Sequence, residues 1–434
     1  MLLIYTPRIN NRIKYIFNLF FRDLLSVEFS IINKIDEFSA YEGPKLNYSY
    51  QPIDNELFLY PANILFETGI KQQNIEHIWF EGINCPFAVY KNSSFPFDPF
   101  AAAFYLSTRY EEYLPYRKDK YDRFDASESI AFQLGFLKKP VVNIWAEKII
   151  KMLAEKYPGF IPPKRNYHFI PTIDIDSAYA YKQKGFVRTV AAYLKSLSSL
   201  DFEEITDRTK VLAGMKKDPF DTYDFQFSLL KEYNLKPLYF VLFADYAQYD
   251  KNIPVLNRKF QSLIKSIADY AEVGIHPSFA SNSEPKKFFT EISMLAKVLN
   301  SEVIRSRQHF LKLSFPSTFR NLIEADVQED YSLGYASETG FRAGICDPFH
   351  FYDLDLETET NLKLFPFAMM ESALRNYQHV SALEAIQHIK PIIDEVKAVN
   401  GTFISIWHNE SLSNQKKWIG WHIVYEEMIK LALP

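Results

Sequence analysis

Apolar and polar positions in the second part of the chain follow a strand–helix–strand rhythm. Short apolar runs rich in β-branched and aromatic residues predict strands, and longer amphipathic stretches predict helices. The predicted strands are His168 to Asp176, Pro237 to Phe243, Glu272 to His276 and Thr402 to Trp407. The predicted helices are Thr222 to Tyr233, Lys259 to Ala271, Lys286 to Leu299 and Ala382 to Val399, the last followed by the C-cap signal Asn400-Gly401. Such alternation predicts an α/β fold with a mostly parallel sheet or a (β/α) barrel.

The first 160 residues have a more mixed pattern. Asp98 before Pro99 predicts an N-cap and the start of a helix through Phe100 to Tyr113. A second helix is predicted from Val142 to Glu155. The Pro- and Gly-rich stretch Tyr157 to Lys164 cannot continue a helix. We therefore predict an N-terminal accessory α+β domain over 1–160 and a second domain over 167–434.

Composition excludes several classes of protein. The chain has 434 residues, of which 47% are hydrophobic and 24% charged, and its net charge of −4 favours neither nucleic acid nor an anionic membrane as partner. Two cysteines give no disulfide framework and no CxxC metal pair. The N-terminus does not read as a secretion signal, and no apolar run approaches the roughly 18 residues of a membrane span. We expect a cytoplasmic location.

The apolar segment Ile13 to Leu25 predicts a core helix, with a helix lying in a membrane interface as the alternative.

Two carboxylates lie at the carboxyl end of the predicted strand His168 to Asp176. Asp174 and Asp176 are separated by one residue, so an extended backbone directs both side chains to the same side. Two close carboxylates repel each other, and one shifts towards protonation unless a cation lies between them. The pair therefore favours a catalytic or metal-binding role, while the alternative is that these residues only cap the following segment.

Other candidate residues also follow apolar strands. His276 and His408 end predicted strands, and the carboxyl ends of parallel strands are where chemistry occurs in such folds. Neutral imidazole is a common metal ligand and proton carrier. Arg307 and Arg342 are candidates for holding a catalytic carboxylate ionised and oriented, and surface or interface ion pairs are the alternative for both.

The order of these motifs resembles a known family. Thr-x-Asp-x-Asp at Thr172, Gly-x-His-x-Ser at Gly274, Arg-x-His at Arg307, Asp-Tyr-Ser at Asp330 and a late strand ending in His408 are similar to the polysaccharide deacetylases. These form carbohydrate esterase family 4, with the NodB-homology domain. More narrowly, the chain resembles an uncharacterised bacterial branch with an extra N-terminal domain. The resemblance covers roughly residues 167–434 and implies a distorted (β/α) barrel, a TIM-like fold.

The resemblance also implies roles for individual residues. It makes Asp174 the catalytic base, Asp176 and His276 metal ligands, His408 the general acid and Arg307 the residue that braces the base. Asp330 falls near the aspartate of the family's fourth motif. The family's second metal histidine lies four residues after the first, where this chain has Ala280, so His309 becomes the substitute candidate.

We therefore predict a hydrolase that uses a divalent metal, most plausibly zinc, to remove N-acetyl groups from a sugar or polysaccharide in cell-surface polysaccharide metabolism. The partner is a carbohydrate substrate. In this prediction Arg307 or Arg342 stabilises charge on Asp174 or the substrate. The alternative is an inactive sugar-binding or assembly protein on a deacetylase fold. A glycosidase is a second alternative, but its two carboxyl groups must be at least about 5 Å apart, and Asp174 and Asp176 are too tightly linked to flank a glycosidic bond.

Overall fold

The N-terminal part of the chain contains a small parallel sheet. A computed structural model describes residues 1–434 and gives its strands as β1 (Leu2–Tyr5), β2 (Phe29–Ile32), β3 (Lys45–Tyr48) and β4 (Leu57–Leu59), in the order β2-β1-β3-β4. An antiparallel pair, β5 (His77–Phe80) and β6 (Ile83–Pro86), follows. The helices of this part are α1 (Asn11–Phe17), α2 (Ile35–Ala40), α3 (Pro99–Ser107), α4 (Ile130–Gln133) and α5 (Val141–Lys156).

Helix α3 begins as predicted and ends earlier than predicted. The Asp98 side chain accepts from the backbone N–H groups of Phe100 and Ala101, each at 3.0 Å, and caps the helix. The predicted continuation to Tyr113 is wrong because Arg109 takes a left-handed backbone conformation, with φ of 52°. A 3₁₀ turn over Tyr110–Tyr113 follows this break.

The apolar segment Ile13 to Leu25 belongs to the core. Helix α1 continues into a π-helical stretch over Asn18–Leu24, and its large side chains, such as Phe17, Phe20 and Phe21, are buried. The alternative of a helix lying in a membrane interface is therefore wrong for this segment, because its apolar face is already covered by protein. No helix of the structure has the length and apolar character needed to cross a bilayer.

The second part folds around a nine-stranded sheet. Its strands are β7 (His168–Ile175), β8 (Leu238–Leu242), β9 (Glu272–His276), β10 (Arg305–Ser306), β11 (Glu329–Asp330), β12 (Phe349–Asp353), β13 (Thr358–Leu364), β14 (Met369–Met370) and β15 (Thr402–His408). They pair in the order β12-β13-β11-β10-β9-β8-β7-β15-β14. Every pair is parallel except β12 with β13. The predicted mostly parallel α/β arrangement is therefore confirmed.

Eight helices belong to this part; seven lie between its strands and the last follows β15. They are α6 (Phe186–Ser198), α7 (Phe202–Leu212), α8 (Tyr223–Glu232), α9 (Arg258–Ala268), α10 (Pro285–Leu299), α11 (Ser317–Glu324), α12 (Ala382–Ala398) and α13 (Trp421–Ala432). The end of α12 shows why Asn400-Gly401 stops a helix. Asn400 is left-handed, with φ of 47°, and a Cβ on Gly401 would lie 2.3 Å from the Cys346 sulfur.

The sheet is rolled, but its strand ladder does not close into the expected barrel. Arg307, which follows β10, reaches Thr172 and Asp174 of β7 although two strands lie between them in the sheet. The edge strands β12 and β14 do not pair. An irregular segment spans the opening, where the Phe367 N–H donates to the Leu333 carbonyl at 3.1 Å and the Ala368 N–H donates to the Ile404 carbonyl at 3.0 Å.

The two parts of the chain share one apolar core. The ring of Tyr15 in α1 lies 4.7 Å from that of Tyr352 in β12, and Phe104 in α3 lies 5.5 Å from the same ring. Arg12 also pairs with Glu357, next to β13. The N-terminal part is thus packed against the edge of the large sheet. The division into domains at 1–160 and 167–434 stays a prediction.

Candidate functional site

The carboxyl ends of four strands meet at one place. Asp174 and Asp176 come from the end of β7, His276 from β9, His408 from β15, and His309 from the turn after β10. The His276 Nε2 atom lies 3.3 Å from Asp176 Oδ1 and 3.9 Å from Asp174 Oδ2. Both carboxylates therefore approach the same nitrogen atom.

Three of these side chains form a group that could hold a metal ion. One ligand atom each from Asp176, His276 and His309 lies within 4.8 Å of the other two. The Asp176 Oδ1 atom is buried and has no hydrogen-bond partner. One carboxylate and two imidazoles are a donor set that Zn²⁺ accepts in catalytic sites, so the residues present fit a divalent ion.

The imidazoles are oriented by partners on their other nitrogen atoms. His276 Nδ1 contacts the Arg307 carbonyl, and His309 Nδ1 lies 2.8 Å from Asp250 Oδ1. These contacts turn the Nε2 atoms of both rings towards Asp176. Hydrogen bonds of this kind fix the ring orientation of metal-binding histidines and raise their basicity. Asp250 was not found from the sequence, because its role depends on a contact between the loop after β8 and the turn after β10.

His408 lies on the opposite side of Asp176. Its Nε2 atom is 3.8 Å from Asp176 Oδ2, and its Nδ1 atom is 2.8 Å from Glu371 Oε1. Glu371 also accepts from the His408 backbone N–H at 2.9 Å and is fully buried. Glu371 directly follows β14. It therefore lies at the carboxyl end of a parallel strand, where functional residues are expected, but a strand of two residues could not be recognised in the sequence.

Asp174 is held by Arg307 in a buried pair. The Arg307 guanidinium donates to Asp174 Oδ1 at 2.7 Å and to the Thr172 hydroxyl at 2.7 Å. Its Nε–H donates to the Tyr331 carbonyl at 2.9 Å, and its carbon lies 4.4 Å from the centre of the Phe240 ring. These contacts leave Arg307 little freedom, so Asp174 is fixed in one orientation.

The charges at the site are coupled. Burial opposes ionisation of Asp176, but the charges of His309 and His408 hold the pKa of Asp176 well below its usual range. Burial also disfavours the charged form of His309, yet Asp176 and Asp250 outweigh it and raise the pKa of His309 to about 9. A bound cation would take the place of these protons, because histidine binds metal only through a deprotonated nitrogen.

Two residues named from the sequence lie away from this cluster. Arg342 bonds other groups than Asp174, and its role towards the substrate stays a prediction. Its Nε–H donates to Glu112 Oε1 at 2.9 Å, and it also donates to the Gly334 carbonyl at 2.9 Å. Buried Glu112 is the anion that attracts this guanidinium.

Asp330 is buried at the end of β11, where burial raises its pKa to about 7, and it accepts from the hydroxyl of Ser332 at 2.8 Å.

A cavity of about 420 Å³ opens above the cluster. Asp174, Asp176, His276, His309 and His408 form part of its lining. Aromatic side chains contribute other walls, and they are Tyr121, Phe310, Tyr377 and Trp418. The N-terminal part of the chain therefore takes part in the site through the segment that contains Tyr121, whereas the sequence suggested only a scaffold there.

Arg123 fixes the segment that contains Tyr121. Its guanidinium donates to the Phe310 carbonyl at 2.8 Å and to the Tyr377 hydroxyl at 3.1 Å. The ring of Tyr121 lies 5.1 Å from that of Phe310. These contacts join the N-terminal part to the turn that holds His309.

Comparison with known proteins gives two results. Residues 2–158 match the model of a family of unknown function, DUF7033. No curated protein matches the chain.

Similar solved structures include a candidate polysaccharide deacetylase from Mycobacterium smegmatis, with 15% identity, a TM-score of 0.41, and coverage of 62% of this chain and 85% of that one. A polysaccharide deacetylase from Bacillus cereus has 11% identity, a TM-score of 0.28, and coverage of 62% and 88%. A CE4 family pseudoenzyme from Bacillus anthracis has 11% identity, a TM-score of 0.26, and coverage of 60% and 61%. Similarities this distant carry no conclusion about activity.

Proposed function

We propose that this protein is a metal-dependent hydrolase that removes N-acetyl groups from a sugar or polysaccharide. The observation that carries the proposal is the arrangement of Asp176, His276 and His309, whose ligand atoms lie within 4.8 Å of one another on the floor of a cavity. Asp174 and His408 flank this group on the same floor. Such a site has ligands for an ion and two further groups able to transfer protons.

Asp176, His276 and His309 would hold the ion, most plausibly zinc. When bound, a divalent ion polarises a carbonyl oxygen and lowers the pKa of a coordinated water. His309 comes from the turn after β10, the strand next to β9, and supplies the imidazole that is absent at Ala280. Asp250 and the Arg307 carbonyl keep the two rings in place, as their hydrogen bonds to the Nδ1 atoms indicate.

Asp174 is the proposed general base. It is almost fully buried, and it lines the cavity beside Asp176. In this role its carboxylate accepts the proton of the attacking water. Arg307 positions the carboxylate and compensates its charge, because its guanidinium bonds Asp174 Oδ1 directly.

His408 is the proposed general acid. Burial opposes its protonation, but Glu371 and Asp176 raise the pKa of His408 well above its usual value. A protonated imidazole on this side of the cavity can donate to the nitrogen atom of the leaving amine. Glu371 orients the ring through Nδ1 and leaves the Nε2–H directed to the cavity.

The aromatic side chains that line the cavity favour a carbohydrate as the substrate. Tyr121, Phe310, Tyr377 and Trp418 offer ring faces and edges around the cavity, and rings of this kind can stack on the apolar faces of sugars. The alternative is an inactive sugar-binding or assembly protein, which would use the same walls. The two functions differ in whether the protein holds metal and releases acetate.

The decisive experiment measures metal content and acetate release on the same samples. The parent protein, reconstituted with zinc, should hold one equivalent of metal and release acetate from N-acetylated oligosaccharides. Replacing Asp176, His276 or His309 with Ala should remove metal and activity, while His388→Ala, on an exposed position of α12, should leave both unchanged. Full metal content in all three variants would refute the ligand assignment. A parent protein that holds no zinc and releases no acetate would favour the inactive alternative.

His408→Ala separates acid catalysis from metal binding. We expect the variant to keep its metal and to lose about 10²–10⁴-fold in rate, the usual contribution of general acid–base catalysis. Unchanged activity would place the general acid elsewhere.

A further inference from the structure

Helices α6 and α7 carry an apolar surface that the fold does not cover. They are 13 and 11 residues long, yet each buries a single side chain, Ser196 in α6 and Val211 in α7. Large apolar side chains of α6 are instead exposed, and these are Phe186, Val187, Val190, Leu194 and Leu197. Their spacing along the helix places all five within a sector of about 100°.

The apolar surface continues beyond α6. Leu200 in the turn between the helices and Phe202, the first residue of α7, are 70% and 61% exposed. Leu212, the last residue of α7, and Met215, shortly after it, are 43% and 81% exposed. The hydroxyl groups of Tyr193 and Thr209 lie 2.9 Å apart and tie the two helices together. Soluble proteins rarely expose so many large apolar side chains together unless they bind something there. We name residues 182–217 the α6–α7 hairpin.

The charge of the α6–α7 hairpin is opposite to that of the chain. The whole chain has a net charge of −4, whereas residues 182–217 contain eight Lys or Arg and four Asp or Glu. Arg208, Lys216 and Lys217 pair with carboxylates. The other basic residues have no carboxylate within 4.0 Å, and they are Lys182, Lys184, Arg188, Lys195 and Lys210. Lys184 and Arg188 donate to backbone carbonyls of the loop at Lys251 and Asn252. Lys182, Lys195 and Lys210 are therefore the cations left for an anionic partner.

We propose that the α6–α7 hairpin binds the interface of an anionic lipid membrane. A helix with an exposed apolar stripe and cations on its polar face lies in the plane of such an interface, with its apolar side chains in the headgroup region. Each lysine near an anionic surface adds about fivefold to the affinity. The uneven distribution of charge explains why the net charge of the whole chain, −4, gave no sign of this partner.

A second copy of the chain is a less suitable occupant. In a two-fold symmetric dimer the same surface would face itself. Residues 182–217 contain eight Lys or Arg and four Asp or Glu, so this contact would bring two surfaces of net positive charge together. Like-charge contacts of this kind oppose association, whereas anionic lipid headgroups would neutralise the same charges.

The α6–α7 hairpin also borders the candidate site. A cavity of about 540 Å³ is lined by Glu204 and Arg208 of α7, and it shares Glu410 and Trp418 with the cavity above the metal group. A membrane bound to the hairpin would lie near one end of this pair of cavities. The membrane proposal does not depend on the proposed hydrolysis, because it rests on the apolar stripe and its cations.

Vesicle flotation tests the proposal. The full-length protein should float with vesicles of phosphatidylcholine containing about one third phosphatidylglycerol, and less with phosphatidylcholine alone. The double variant Leu194→Glu/Leu197→Glu should bind the anionic vesicles at least about tenfold more weakly, since it puts two charges into the apolar stripe. The matched control is Leu383→Glu on α12, where Leu383 is 93% exposed, and it should bind as the parent does.

Three outcomes would overturn the proposal. The first is a parent protein that does not float with the anionic vesicles, and the second is a double variant that binds them as tightly as the parent does. Light scattering could also show a dimer that the double variant converts to a monomer while the parent fails to float, which would assign the surface to a second copy. Retained zinc content in the double variant would show that its fold at the site is intact, independently of vesicle binding.

Discussion

Replacing Asp250 tests how the proposed metal ligands, Asp176, His276 and His309, are held in position. Its Oδ1 atom contacts His309 Nδ1 at 2.8 Å and accepts from the Phe279 backbone N–H at 2.9 Å, while the residue itself is almost fully buried. Asp250 is not among the three proposed ligands. Its contact with His309 is the one that links it to the proposed ligands, so we expect its replacement to act on metal affinity through the orientation and basicity of His309.

The expected loss of zinc affinity follows from the contact between Asp250 and His309 that each variant weakens or removes. Asp250→Asn keeps an acceptor for the His309 Nδ1–H but removes the charge, and charged hydrogen bonds exceed neutral ones by about 1 kcal/mol, or about fivefold in affinity. Asp250→Ala removes the acceptor altogether and leaves the ring free to turn. Loss of such a partner costs about 10–100-fold in metal affinity, which is about 1.4–2.7 kcal/mol. We expect the two variants to rank in that order.

Competition with a zinc-binding dye at fixed pH measures these affinities. Glu371→Ala is the matched control, because Glu371 contacts the Nδ1 atom of His408 in the same way but His408 is not a proposed ligand. It should keep the zinc affinity of the parent while slowing acetate release. Equal zinc affinities for the parent, Asp250→Asn and Asp250→Ala would refute the role of His309 as a ligand. A loss of affinity in Glu371→Ala would make His408 part of the metal group.

Three further predictions concern other residues. Asp174→Asn should keep the metal and slow acetate release by about 10²–10⁴-fold, as expected for loss of a general base, and loss of metal would make Asp174 a ligand instead. Burial raises the pKa of Glu291 from 4.5 to about 7, so the folded state binds this proton more tightly than the unfolded state, and stability falls as pH rises between these values. Glu291→Gln should therefore match the parent in denaturant unfolding at pH 4.5 and exceed it by up to about 3 kcal/mol above pH 8, and a constant difference at both pH values would contradict this. Gly274→Ala should cost about 1–3 kcal/mol, because its Cβ would lie 2.7 Å from the Phe240 ring. Gly159→Ala, with no atom within 4 Å of the new Cβ, should cost much less. Thermal unfolding of the two glycine variants measures this difference in stability.

The long elements of the second part could be predicted because their patterns are strong. Strand β8 is buried along its whole length and therefore reads as a continuous apolar run, Leu238–Leu242. Helix α12 has a capping box formed by Ser381 and Glu384 and a left-handed Asn400 after its end. Both ends of the helix are thus determined by local chemistry, which is visible in the sequence.

Short elements could not be predicted in this way. Strands β10, β11 and β14 have two residues each, too few for any periodicity, yet Arg307 and Glu371 follow two of them. The N-terminal sheet was missed for a similar reason, since β1 to β4 have three or four residues each. Arg342 illustrates a different limit. The sequence shows a candidate cation but not which anion it meets, and buried Glu112 is 230 residues away along the chain.

The position of His309 follows from the pairing of β10 with β9. Parallel neighbours place their carboxyl ends side by side, and Ser306 of β10 pairs with Ile275 of β9. A histidine after β10 can therefore lie beside His276 at the same edge of the sheet. The resemblance to the deacetylases suggested His309 as a substitute ligand, and the structure adds that Asp250 contacts its Nδ1 atom and directs its Nε2 atom to within 3.6 Å of Asp176 Oδ2. If Asp250 carries this function, Ala280 is not a sign of a decayed site, and the site uses a different strand for its third ligand.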